Sequence, residues 1–188
     1  MEPRIQPISL ADAEPAAREI LEGFSRLRGD DAAVLNVFGT LATHPQLFRR
    51  WLTFANYVLT ESTLDPRLRE LVILRTGWRC RSPYEFAQHV IVGRGAGCSD
   101  ADIARVAAGP DAEGWTPLEA ALLRAADDLY DHDTIAPVTW RALGEHLDER
   151  QILDVVFTVG QYTLVSYALN AVAVARDDGI DDPAIPIP

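Results

Sequence analysis

The chain has 188 residues, 48% of them hydrophobic, which is enough for one sizeable core and short for two. All 17 cationic residues are arginine, no lysine occurs, and 28 acidic residues bring the formal charge to −11. That balance repels phosphate backbones and argues against nucleic acid as a partner.

From the N-terminus, the run MEPRIQPISLADAEP lacks the basic, apolar and small-residue regions of a secretory signal. With Cys80 and Cys98 the only cysteines, a cytoplasmic protein without a disulfide framework or a cysteine metal cluster is expected. Weakly capped helices are expected around 11–27, 34–41 and 45–59. Stronger start signals follow, each pairing a capping side chain with a proline at the first helical position or an acid or amide three residues on. They are Asp65-Pro66, Ser82-Pro83-Tyr84-Glu85, Ser99-Asp100-Ala101-Asp102, Thr116-Pro117-Leu118-Glu119 and Asp148-Glu149-Arg150-Gln151. Apolar residues then recur at three-to-four spacing, as in Leu68, Leu71 and Val72 or Leu118, Ala121, Leu122, Ala125 and Leu129, and no stretch alternates with period two. The loop at 109–114 is an ordinary helix connection rather than a domain linker. Residues 155–175 are uncharged and long enough for a membrane span, but the polar side chains from Thr158 to Asn170 favour a helix buried in a core or subunit interface. The expected architecture is all-α, an antiparallel helical bundle in one domain over 1–176, with an extended or disordered tail over 177–188.

The segment 64–97 carries the chemistry. Glu70 lies on an apolar ridge beside Ile73 and Leu74, where desolvation raises a carboxyl pKa unless a cation or donor holds it ionised. Arg67, three residues earlier, is the structural partner to expect for it. Glu85 and His89, four residues apart, share a face of the next helix. A histidine is a natural general acid or base, and a neighbouring carboxylate sets its tautomer or raises its pKa. Glu85 also sits at the third position of a capping box, so it is a helix cap, a catalytic acid, or both. A core histidine with satisfied hydrogen bonds is the plainer alternative for His89. Two carboxylates and an imidazole suit a divalent ion by type, but the spacing is too loose to assign a metal.

LDPRLRELVILRT, followed by SPYEFAQHV and GAGCSDADI, resembles the carboxymuconolactone decarboxylase family, which includes alkyl hydroperoxidase D-like proteins. The likeness is specific over 64–106 and continues more weakly through GQYTLVSYALNAV; the family-like core spans about 45–130, joined by the helix at 149–175. It implies an all-helical fold and assembly into homotrimers or larger rings, up to hexamers. In the peroxidase branch a CxxC pair precedes the relay histidine, with a relay glutamate on the preceding helix. His89 and Glu70 match that relay, while Ser82 and Glu85 occupy the two cysteine positions.

The resemblance then favours the decarboxylase branch: a cofactor-free lyase acting on a small organic acid or lactone. Catalysis would fall to Glu70, Glu85 and His89. Loss of carbon dioxide leaves a dienolate that must be stabilised and protonated on carbon. Arg75, Arg79 and Arg81 are the candidates to hold the substrate carboxylate, and Trp78, Tyr84 and Phe86 to line an apolar pocket. Two alternatives stand beside this reading. One is a thiol peroxidase using Cys80 alone, its thiolate favoured by Arg79, Arg81 and a helix N-terminus. Cys98 lies roughly 20 Å away along an intact helix, too far for a disulfide. The other is a non-catalytic oligomeric ligand-binding protein.

Overall fold

The computed structural model describes residues 2–28 and 34–180. In chain order the helices are α1 (Pro15–Arg28), α2 (Asn36–Leu41), α3 (Pro45–Asn56), α4 (Pro66–Arg79), α5 (Pro83–Gly95), α6 (Asp100–Ala108), α7 (Pro117–His132), α8 (Pro137–Gly144) and α9 (Glu149–Val172). Among the described residues no strand occurs, in accord with the expected all-α fold.

The start signals act through the side chains that the sequence nominates, with one exception. Asp65 accepts from the backbone N–H groups of Arg67 and Leu68, and Ser99, Thr116 and Asp148 each form a reciprocal capping box with Asp102, Glu119 and Gln151. Ser82 makes no capping hydrogen bond, and its hydroxyl is buried without a partner. Glu85 therefore is not the far half of a capping box; its carboxylate turns to His89 instead. Helix α8 opens on Pro137 but has no capping side chain, since its N-cap is Ala136, whose N–H is held by Asp128 of α7.

The helix expected to run to residue 59 stops at Asn56 and continues as a π turn, Tyr57–Glu61. Asp154 of α9 fastens this turn, accepting from the Tyr57 hydroxyl at 3.0 Å and from the Thr63 N–H and hydroxyl at 2.6 and 2.7 Å.

Helix α4 is the axle of the bundle, packing against α5, α6, α7 and α9. Every residue from Arg69 to Gly77 is buried, as expected of a helix covered on all sides. One core cluster joins Val72 of α4 to Leu122 and Ala125 of α7 and Val155 and Val159 of α9. A second joins Leu71 and Leu74 to Phe86, Cys98, Ile103 and Leu123. Gly77 faces α5, where a Cβ would make ordinary contact, 3.7 Å from the Glu85 side chain and the Phe86 backbone.

Helix α9 has the length and apolar composition of a membrane span, and 56% of its most apolar window is buried within this chain. Its outer face still shows Leu153, Phe157, Leu164 and Tyr167, each more than half exposed. These positions recur at helical spacing and form one apolar stripe.

After α9, residue 177 departs from the expected tail. The Asp177 carboxylate accepts from the Asn36 N–H at 2.6 Å, the Tyr84 hydroxyl at 2.5 Å and the Gln88 amide at 2.6 Å. Residues 181–188 lie outside the described residues.

Candidate active site

Glu70 and His89 come from two helices that pack against each other, α4 and α5. The His89 Nδ1 lies 2.7 Å from Glu70 Oε2, and its Nε2 lies 3.1 Å from Glu85 Oε1, one turn back on the same helix. The edge of the ring meets Tyr162 of α9, with ring centroids 4.8 Å apart. Glu70 is wholly buried and His89 is 7% exposed. The carboxylate of Glu70 also draws Arg69, whose Nε stands 3.7 Å from Oε1, too far for a hydrogen bond, so both atoms keep unused capacity.

Both ring nitrogens of His89 therefore face carboxylates, which suits an imidazolium donating twice. Burial pulls the His89 pKa down. The charge and hydrogen bond of Glu70, with a smaller share from Glu85, outweigh burial and lift it to about 10. Around neutral pH the site thus stores a proton. Tyr162 keeps its own proton as well, since burial and the two nearby carboxylates hold its pKa well above the ordinary phenol value.

The triad opens on a cavity of about 200 Å³ whose walls come from four parts of the chain. Leu35, Val37 and Phe38 form one side, Trp51, Leu52, Ala55, Asn56 and Leu59 a second, Tyr84, Glu85, Gln88, His89 and Val92 a third, and Gln161, Tyr162 and Val165 the last. Glu70 stands behind His89 and does not line it. The Tyr84 hydroxyl accepts from the Val37 N–H at 3.2 Å and donates to Asp177, so the C-terminal segment ties two walls together.

The structure thus joins Glu70, Glu85, His89 and Tyr84, and disperses the other nominated residues. Arg75 is buried against α7, with a bidentate pair to Asp127 at 2.7 and 2.8 Å and a bond to the Val106 carbonyl at 2.8 Å. Arg79 pairs with Asp131 and lies over the Tyr130 ring. Arg81 is exposed, in a left-handed turn with φ 52°. None of the three reaches the cavity. Trp78 lies beneath the Arg75 guanidinium, and Phe86 is fully buried in the α4–α6–α7 core. The expected pairing of Arg67 with Glu70 is also replaced: Arg67 binds Glu119 and Asp102.

Both cysteines are free and buried. Burial pushes the Cys80 thiol up, and the nearby hydroxyls of Thr163 and Ser166 only partly offset this; Cys98 is raised to about 11, again chiefly by burial. Neither lines the cavity. Among the described residues no group of three or more His, Cys, Asp or Glu side chains is disposed to hold a metal ion.

The helices that supply the triad coincide with a known sequence pattern. Residues 45–128 are a match to the carboxymuconolactone decarboxylase family. The match covers α3 to most of α7 and includes Glu70, Glu85 and His89, while the α9 wall of the cavity lies outside it. No curated protein matches the chain. Among solved structures, an alkylhydroperoxidase AhpD core protein from Ralstonia eutropha JMP134, described as an uncharacterized peroxidase-related protein, superposes with a TM-score of 0.82 at 19% identity, covering 95% of this chain and 94% of that one. An uncharacterized peroxidase-related protein from Silicibacter sp. TM1040 follows at 0.80 and 16% identity, with coverage of 96% and 95%. A variant of the debrominase Bmp8, in complex with 2,3,4-tribromopyrrole, reaches 0.78 at 11% identity, with coverage of 95% and 94%. These likenesses establish the AhpD-like fold.

Proposed function

We propose that this protein is a proton-transfer enzyme, of lyase or isomerase type, acting on a small and largely apolar molecule without need of a cofactor. The observation that carries this reading is the continuous chain Glu70–His89–Glu85, buried at one end and open to the cavity at the other. Glu85 is the group that meets the substrate, His89 holds the proton, and Glu70 is the buried anion that keeps His89 charged. A proton removed next to a carbonyl goes to Glu85. The resulting enolate is met by the His89 charge, and a proton returns to carbon or to a leaving group from the same pair.

The decarboxylase form of the reading needs a cation for the substrate carboxylate. Arg75, Arg79 and Arg81 are engaged elsewhere or exposed, so elimination, lactone opening or double-bond isomerisation fits this cavity better. A Cys80 peroxidase finds less support, because that thiol is buried, raised in pKa and outside the cavity. We further read the protein as a cytoplasmic homo-oligomer, a trimer or a larger ring; the exposed stripe on α9 is the face offered for self-association.

The test is a screen of lactones and keto compounds in deuterated water, followed by NMR for solvent exchange or double-bond migration. Glu85→Gln and His89→Gln should each lower the rate by about 10²–10⁴-fold, the usual worth of a positioned acid or base. Full exchange in His89→Gln would overturn the reading. A protein in which these variants lose ligand binding but no turnover was ever present would instead be a ligand-binding protein.

A further inference from the structure

The cavity's polar inventory separates one side chain from the rest. Gln161 of α9 is 3% exposed, lines the cavity, and keeps its Oε1 buried without a hydrogen-bond partner. Elsewhere on the wall, Tyr84 and Gln88 bind Asp177, Asn56 binds Glu61 and Glu85 binds His89, so Gln161 Oε1 is the lining residues' buried acceptor without a partner. A buried carbonyl left unpaired carries a desolvation penalty that a bound molecule with a donor removes.

The charge around the cavity points the same way. No arginine is among its described lining residues, and the chain has no lysine. The nearest cation to the triad, Arg69, is drawn to Glu70 and does not line the cavity. Formally, Glu70, Glu85, His89 and Arg69 sum to zero. An entering carboxylate would lose its hydration, meet the Glu85 carboxylate, and find no arginine on the wall and a His89 charge already shared by two carboxylates. Phe38, Trp51, Leu52, Leu59, Val92 and Val165 supply an apolar surround that imposes no such loss on a neutral molecule.

We propose that the cavity selects a neutral, mostly apolar substrate carrying one O–H or N–H donor, which Gln161 holds against Glu85, and that it rejects carboxylates. This rests on the proton-transfer reading for the fate of the substrate, though not for its binding. Gln161 fixes which atom of the substrate faces Glu85, and so decides which proton is moved.

The experiment is ligand-observed NMR and calorimetry on the full chain with matched fragments. Indole-3-carboxamide is compared with indole-3-carboxylate, and indole with indene, within a wider set of neutral and carboxylate pairs on rings of similar size. Val92→Trp, at a half-open position on the wall, fills the cavity; Gln161→Leu removes the acceptor at nearly constant volume. Neutral members should bind at least tenfold more tightly than their carboxylate partners, and Val92→Trp should abolish that binding. Gln161→Leu should weaken donor-bearing fragments at least fivefold and leave indene-like ones unchanged. Carboxylates binding as well as their neutral partners overturn the proposal, as does a Gln161→Leu variant that treats donors and non-donors alike, or a set with no member sensitive to Val92→Trp. Binding selectivity that persists while His89→Gln keeps full turnover refutes the proton-transfer reading alone. Carboxylate binding with turnover lost in His89→Gln refutes the substrate class alone.

Discussion

The Nδ1 of His89 and Oε2 of Glu70 meet at 2.7 Å between α4 and α5, and the carboxylate has no exposure to solvent. A charged pair in this position is a pH-dependent part of the fold. The folded His89 pKa is raised from 6.5 to about 10. Its contribution is therefore full below about pH 6.5 and disappears as pH rises through about 10. Unfolding free energy should fall by roughly a few kcal/mol across that window. In His89→Gln the fall should vanish, which denaturant titrations at pH 6, 8 and 10 would show. In Glu70→Gln, burial is left to act with less opposition, and the alkaline limb of the rate profile should move down by at least about one pH unit. An unmoved limb would remove Glu70 from any role in charging His89.

Helix starts that look alike in sequence should differ in energy. Ser99→Ala and Thr116→Ala each lose a reciprocal capping box and should cost about 1 kcal/mol. Ser82→Ala removes a buried hydroxyl that has no partner, and should be neutral or slightly stabilising. Thermal melts of the three variants make the comparison.

Arg75 is predicted to matter for folding and not for substrate. Arg75→Met leaves Asp127 without its bidentate partner and empties the bonds to the α6 C-terminus, a loss of about 3–5 kcal/mol. Fragment affinity measured on the folded fraction should stay within twofold of the parent protein. A large affinity loss at unchanged stability would return Arg75 to the binding site.

The thiol of Cys80 should be slow. Burial raises its pKa above that of a free thiol, so native-state alkylation near neutral pH should lag far behind that of the unfolded chain. Mass spectrometry after timed iodoacetamide exposure checks this. Cys80→Ser should retain proton-transfer activity.

Much of this was legible in the sequence because it is local. The i, i+4 spacing of Glu85 and His89 puts both on one face, and the apolar ridge around Glu70 announces its burial. The arginines misled for a geometric reason. At 3.6 residues per turn, Arg79 lies nine residues from Glu70 and so points to about the opposite side of α4, toward α7. Proximity along a helix is not proximity across it. Gln161 and Trp51 gave no signal, since they reach the cavity only through tertiary contacts made by α9 and α3, nor did Asp177, which holds the wall residues Tyr84 and Gln88 from the segment after α9. Ser82-Pro83-Tyr84-Glu85 satisfied the cap pattern, but the bond from Glu85 to His89 competes for the same carboxylate and prevails.

The carboxylate of Asp177 clamps Asn36, Tyr84 and Gln88 from a position beyond α9. Chains are made and begin to fold from the N-terminus, so a ribosome-bound chain holds its proton-handling triad long before it owns a chamber to use it in. Gln161 and Asp177 emerge well after that triad, and substrate recognition is in this sense a late event of biosynthesis. A chain stalled or clipped ahead of Gln161 would be left with a charged notch that lacks its α9 wall and the side chain that chooses what enters it.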